Sequence, residues 1–278
     1  MRALVEQVIL VTGATDGLGK AVATQLARSG ATLLLHGRDE TRGQQTIEEI
    51  RAQTGNTRLH WYRADFSSLA QVRAMAERLA REQERLDVLL NNVGIGSKLP
   101  GGGRRQESED GYELRFAVNY LAPFLLTRLL LPMLRQSAPA RIVNVASAAQ
   151  APIDFGDVML EHHYHGGQAY SQSKLALVMF TFDLAEELAG SGVTVNCLHP
   201  ATYMPTKIVL AARGSSVSTI EEGVQATLRL ITAPVLDQIS GRYFNGLREA
   251  RAESQAYDRQ ARHQLRQLSE RLAGLTGS

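Results

Sequence analysis

Short apolar runs recur along the chain at Val8–Val11, Thr32–Leu35, Val88–Leu90, Ile142–Val145 and Val193–Leu198, with a weaker one at Arg58–Tyr62. Several are unbroken rather than alternating, the pattern of strands covered on both faces. Between them, apolar positions repeat at helical spacing across Leu18–Arg28, Glu40–Gln53, Leu69–Arg85 and Tyr112–Arg135. Such alternation predicts right-handed βαβ units and a parallel sheet with helices on both faces, an α/β architecture. No linker or internal repeat divides the chain, so residues 1–278 are expected to form one domain. The glycine-rich tract Gly94–Gly103 follows a strand and reads as a loop. From Ala250 onward, polar sequence with apolar residues at helical spacing predicts a C-terminal helix docked by one face.

The first strand runs into "TGATDGLG", Thr12–Gly19, and then a helix. Gly13, Gly17 and Gly19 allow a sharp turn and close approach of a ligand. The helix start directs free N–H groups and a positive dipole end at that ligand, which suits a phosphate. The spacing is not the G-x-G-x-x-G dinucleotide fingerprint, and a purely structural turn is the competing reading. After the second strand, "LLLHGRDE" places Gly37 where an NAD-type carboxylate would stand, with Arg38 beside it. Arginine there suits a 2′-phosphate, so NADP(H) is preferred over NAD(H). Asp39 as a ribose-hydroxyl ligand is the alternative, and Asp16 in the turn pulls the same way.

Composition narrows the partners. A formal charge of +2 with no dense basic run points away from nucleic acid. The longest apolar segment, Leu121–Leu134, is interrupted by Pro123, Arg128 and Pro132, so no bilayer span and no membrane partner is expected. One cysteine, Cys197, excludes an internal disulfide and suits a reducing compartment; it reads as a small core residue. A cytoplasmic protein acting on a small molecule is the expectation.

In order along the chain stand T-G-x-x-x-G-x-G at Thr12–Gly19, "ADF" with Asp65 and Phe66, "NNVG" at 91–94, "VNVAS" ending at Ser147, and Tyr170-x-x-x-Lys174. This set resembles the short-chain dehydrogenase/reductase family over nearly the whole chain. "RIVNVAS", "SGVTVNCLHP" and "SGRYF" are most similar to its retinol-dehydrogenase-type branch. The resemblance implies a doubly wound Rossmann-like domain with a seven-stranded parallel sheet. Residues 1–150 would mainly hold the cofactor, and 151–278 would carry the catalytic helix, substrate loop and C-terminal helix. It also implies a catalytic set matched by Asn119, Ser147, Tyr170 and Lys174. The implied cofactor contacts fall on Gly13, Thr15, Asp16, Gly17, Leu18, Gly19, Asp65, Phe66, Asn92 and Gly94, besides Tyr170 and Lys174. "HPATYMPT" departs from the family's P-G-x-x-x-T, which bears on the carry-over to Pro200, Thr202 and Thr206. A homodimer or homotetramer is implied, with the Tyr112–Arg135 helix as interface or, alternatively, as core.

Lysine is rare here, four residues against 26 arginines, so its position counts. Residues i and i+4 share a helix face, which sets Lys174 one turn from Tyr170. A phenol of ordinary pKa near ~10 is a poor proton carrier at neutral pH, and a nearby ammonium is expected to lower it. In the implied reduction Tyr170 protonates the carbonyl oxygen, Ser147 hydrogen-bonds it, and Asn119 holds a water linking Lys174 to solvent. "EHHYHGG" gathers His162, His163 and His165, open to three readings: metal ligands, pocket wall or plain loop. Competing functions are an NAD-linked alcohol dehydrogenase and a dinucleotide sensor without turnover; the complete catalytic set opposes the second.

Overall fold

Eight strands form one sheet in the order β3-β2-β1-β4-β5-β6-β7-β8. They are β1 Val8–Val11, β2 Thr32–Gly37, β3 Leu59–Arg63, β4 Val88–Asn91, β5 Ala140–Val145, β6 Val193–His199, β7 Arg242–Asn245 and β8 Arg248–Ala250. The computed structural model describes residues 1–98 and 101–275; residues 99 and 100 of the glycine-rich tract lie outside them. β1 to β7 pair in parallel, and β8 returns antiparallel on β7. The seven expected parallel strands are therefore present with one more. The eighth arises because Asn245 and Arg248 close a two-residue hairpin in which Gly246 takes φ 57°.

The order reverses between β1 and β4, which opens a crevice at the carboxyl ends of these strands. The central strands β1, β2, β4 and β5 are buried on both faces. Leu10, Leu34 and Leu89 join one core with helices Leu69–Glu82, Leu114–Gln136 and Gly166–Glu187. Ile9, Val11, Leu33 and Leu35 join a second with helices Gly17–Arg28, Glu40–Thr54 and Ile220–Thr232.

Leu114–Gln136 is a continuous helix of 23 residues, long and apolar enough to cross a bilayer. The expectation that the prolines break this segment therefore fails: Pro123 sits at the start of an α-helical stretch and Pro132 is accommodated within it. Its most apolar window is 78% buried, which is the reading as core. The C-terminal helix Arg259–Leu272 docks as expected and takes one flank of this same helix. Tyr120 and Ser269 share a 2.6 Å hydrogen bond, Tyr112 donates to the Leu272 carbonyl, and Arg128 pairs with Glu270. A self-association interface on that helix would have to use what its own chain leaves uncovered.

Candidate functional site

The glycine turn joins β1 to helix Gly17–Arg28. Gly13 and Gly17 hold φ of 68° and 49°. A Cβ at Gly19 would stand 2.2 Å from the Gly13 carbonyl oxygen, so only glycine lets the helix start close on the strand end. Asp16 caps the helix through Gly17 N at 2.8 Å. The first-turn amides of Leu18 and Gly19 have no intrahelical partner, which makes an anion seat. Thr12 Oγ1 receives the amides of Asn92 and Val93 at 2.9 and 3.2 Å. Asn92 Nδ2 donates to the carbonyls of Thr12 and Gly13 at 2.9 and 3.2 Å. Its amide nitrogen is thus committed to bracing the turn.

At the end of β2, Arg38 is exposed, and its guanidinium makes no hydrogen bond or ion pair among the described residues. Asp39 caps helix Glu40–Thr54, accepting from Arg42 N at 3.0 Å. Its carboxylate is thereby engaged by the helix. Thr15 packs against Gly37. Asp65 Oδ1 accepts from the amide and hydroxyl of Ser67, both at 2.9 Å, and Phe66 is buried beneath.

The four expected catalytic residues come from three elements. Ser147 follows β5, and Tyr170 and Lys174 lie on Gly166–Glu187. Asn119 sits in a π-helical turn, Ala117–Leu121, inside Leu114–Gln136. A π-turn widens the helix by one residue and re-aims a side chain, and such turns recur at functional sites. Asn119 Oδ1 accepts from Ile95 N at 2.8 Å, while Nδ2 donates to the Ile95 carbonyl and Ser173 Oγ at 3.1 and 3.0 Å. Both amide hydrogens are used, so a water on this side chain could only donate to the remaining lone pair of Oδ1. A Cβ at Gly94 would lie 3.2 Å from Lys174 Nζ and 3.5 Å from Asn119 Oδ1. Glycine there makes room for these two side chains.

Lys174 Nζ donates to the Val145 carbonyl at 2.9 Å, and burial pushes its pKa down to about 8. Burial pushes the Tyr170 phenol up, opposed by a hydrogen bond with Ser147. The expectation that the ammonium lowers the phenol is not met: Nζ is engaged by a carbonyl, and burial dominates both groups. Ser147 is braced in turn, its Oγ accepting from Ala149 N at 3.1 Å and its carbonyl from Tyr243 of β7 at 3.2 Å. Sequence reasoning missed Tyr243, and also Ser173, which passes its own proton to the Tyr170 carbonyl at 2.7 Å.

The segment after β6 lies across the crevice. Pro200 is buried, but Thr202 is exposed and bonded to His199, away from the turn. Of the two threonines, it is Thr206 that reaches the turn, its Cγ2 3.4 Å from where a Cβ of Gly17 would be. Counted from Pro200, P-G-x-x-x-T would put its threonine at 205, so the one added residue in "HPATYMPT" brings Thr206 to that place. Lys207 pairs with Asp16, which also meets Arg42 at 3.3 Å. Burial raises the Asp16 carboxyl, but Lys207, the Gly17 amide and Arg42 outweigh it and leave the group below its ordinary range. His162 and His163 are exposed, and His165 caps the catalytic helix by accepting from Gly167 N at 3.2 Å. Among the described residues no group of three or more His, Cys, Asp or Glu is placed to hold a metal. Cys197 is buried, its thiol pushed up to about 12, as suits a core residue.

Residues 7–213 match the short chain dehydrogenase family. The chain belongs to that family. This short-chain dehydrogenase is 38% identical to retinol dehydrogenase 13 of Mus musculus, over 96% of this chain and 84% of that protein. A crystal structure of an uncharacterized protein from Mycobacterium paratuberculosis superposes with a TM-score of 0.79 at 28% identity, over 97% of this chain and 94% of that one. A short chain dehydrogenase of Shigella flexneri, solved with NADP, gives 0.71 at 26% identity over 87% and 98%. Membership makes the protein an NAD(P)-dependent oxidoreductase, and its residues fit a dinucleotide: a cradle that a Cβ would fill at Gly19 and first-turn amides facing out of it.

Proposed function

We propose that this short-chain dehydrogenase is an NADP(H)-dependent reductase of lipophilic ketones or aldehydes, with Tyr170 as proton donor. The observation that carries the reading is the gathering of a half-buried Tyr170 with buried Ser147, Lys174 and Asn119 at the carboxyl ends of β4 and β5, beside the glycine turn. Preference for NADP(H) rests on Arg38, which is exposed and unengaged, and on Asp39, which is committed to its helix. The likeness to an NADP-bound structure supports it. A lipophilic substrate is supported by the segment after β6, where Ile208 packs against Gly96 at the crevice, and by the retinol dehydrogenase relatives.

The bound dinucleotide supplies or takes up the hydride. Tyr170, kept protonated by burial, donates its proton to the substrate oxygen, and Ser147 Oγ hydrogen-bonds the same atom as charge develops there. Lys174, with a pKa near 8, gains and loses a proton close to neutral pH and so can restore the phenol. Asn119 and Ser173 hold the loop and the helix that fix this spacing. In oxidation the same groups act with Tyr170 as base. The reading includes a cytoplasmic enzyme that works as a homo-oligomer.

The test is loss of reduced-nicotinamide absorbance over a panel of lipophilic ketones, aldehydes and quinones, with NADPH and NADH in parallel. Tyr170→Phe should lower kcat by about 10²–10⁴-fold. Turnover that survives this substitution unchanged removes Tyr170 from the mechanism, and equal use of both dinucleotides removes the preference.

A further inference from the structure

One titratable group between the two halves of the dinucleotide crevice has no part in the chemistry above. His36 is the fifth residue of β2 and is 2% exposed. Its Nδ1 accepts from Gly13 N at 3.3 Å, in the glycine turn. On the other side of the ring, Nε2 stands 3.0 Å from the Ala64 carbonyl, in the "ADF" segment that ends β3. The ring stacks on Phe66 with centroids 4.3 Å apart and planes 23° from parallel. These contacts leave one protonation state. A backbone N–H can only donate and a carbonyl can only accept, so Nδ1 is bare and Nε2 carries the proton. The backbone of β2 adds to the same junction: the His36 carbonyl accepts from Ala14 N at 2.9 Å, and the Gly37 carbonyl accepts from Ala64 N at 3.1 Å.

We propose that His36 is a positioning residue for the dinucleotide, its neutral imidazole fixing the glycine turn against the Ala64–Phe66 segment. The proposal rests on the reading that these two segments hold the pyrophosphate and the adenosine. A strand end that needed only apolar filling would take leucine, as Leu34 does two residues earlier on the same core. The imidazole instead spends both nitrogens on backbone groups of different segments. Burial pushes its pKa down to about 4, against upward pulls from the Ala64 carbonyl and from Asp65, so the neutral ring persists at ordinary pH. A relay of this kind acts on binding and leaves the reacting atoms alone, because Tyr170 and Lys174 hang from other elements.

Two substitutions separate this role from simple space-filling. His36→Leu removes the donor and the acceptor, whereas His36→Gln keeps one of each. In steady-state kinetics with the whole enzyme, His36→Leu should raise the KM for NADPH by about tenfold or more, one lost hydrogen bond at a time. The kcat and the KM for the carbonyl substrate should stay within about twofold. His36→Gln should recover most of the loss. A leucine variant with wild-type KM for the dinucleotide, or a glutamine variant no better than it, overturns the proposal. So does an effect on kcat alone.

If His36→Leu does not fold, nitrogen-15 histidine NMR of the wild-type enzyme decides. A ring protonated on Nε2, whose Nδ1 signal moves on titration with NADPH, supports the assignment. A ring protonated on Nδ1, or one blind to NADPH, overturns it. Failure of the underlying dinucleotide reading has its own signature: wild-type protein that binds neither NADPH nor NADH.

Discussion

Two segments flank the crevice, one after β4 and one after β6, and they are held by opposite means. Residues 94–97 are pinned from within. Arg115, fully buried, donates to the carbonyls of Gly96 and Ser97 at 2.9 and 3.0 Å, and Asn119 makes two bonds to Ile95. Glu113 and Tyr164 complete that network, with the Tyr164 hydroxyl 2.7 Å from Arg115 and 3.0 Å from Glu113. Residues 200–213 are anchored by buried Pro200 and Met204 and otherwise held at the surface. Lys207 and Asp16 form an exposed pair, Arg213 stacks 3.9 Å over an exposed Tyr203, and Tyr203 itself carries φ 53°. The two walls meet where Ile208 packs onto Gly96. One wall is fixed before any ligand arrives, and the other rests against it through contacts that are cheap to break. The lesson is that a crevice needs only one rigid side to place the reacting atoms; the other side is free to admit a bulky molecule.

The contrast can be broken most severely on the rigid side. Arg115→Met leaves two carbonyls and Glu113 short of a buried partner, and denaturant unfolding should show a loss of about 3–5 kcal/mol. A loss below about 1 kcal/mol would mean that this wall is not held from within.

Acid sharpens the comparison next. Below pH 6.5 an unfolded histidine takes up a proton, whereas folded His36 resists until about pH 4. The unfolded state therefore binds more protons across that window, so stability falls as pH falls through it. The full difference corresponds to about 3 kcal/mol, and His36→Gln should lose that much less between pH 7 and pH 4. Parallel wild-type and variant stability curves over this range would contradict the depressed pKa.

At the cofactor end, Arg38→Ala should shrink the NADPH-over-NADH ratio of kcat/KM by about 10–100-fold. An unchanged ratio would move the 2′-phosphate elsewhere. The smallest effect belongs to the loose wall. Lys207→Ala should alter the KM for dinucleotide by less than about threefold, and less still at high salt, because the pair is exposed. A tenfold change would make the segment after β6 as firmly tied as its opposite.

The strands of the sheet were legible because the central ones are buried on both faces, and six of the eight were found within two residues of their ends. β8 has the sequence Arg-Glu-Ala and carries no hydrophobic signal; only its hairpin partner makes it a strand. The catalytic residues were legible because the chemistry demands particular side chains at particular spacings. Their bracing was not. Arg115 looks like a solvated charge on a helix, and nothing local says that the carbonyls of residues 96 and 97 will turn toward it. His36 is similarly silent, since its two partners lie 23 and 28 residues away. Which of Thr202 and Thr206 faces the turn depends on the path of the loop after Pro200, and composition does not set that path.

The docking of Arg259–Leu272 also bears on synthesis. Tyr120 meets Ser269 across 149 residues, and Arg73 meets Ala273 across 200. A nascent chain therefore shows the ribosome's surroundings that flank of Leu114–Gln136 until Arg259–Leu272 has emerged. For this molecule the vulnerable interval comes during translation: a chaperone that shields that flank would be waiting for the helix encoded last among those described.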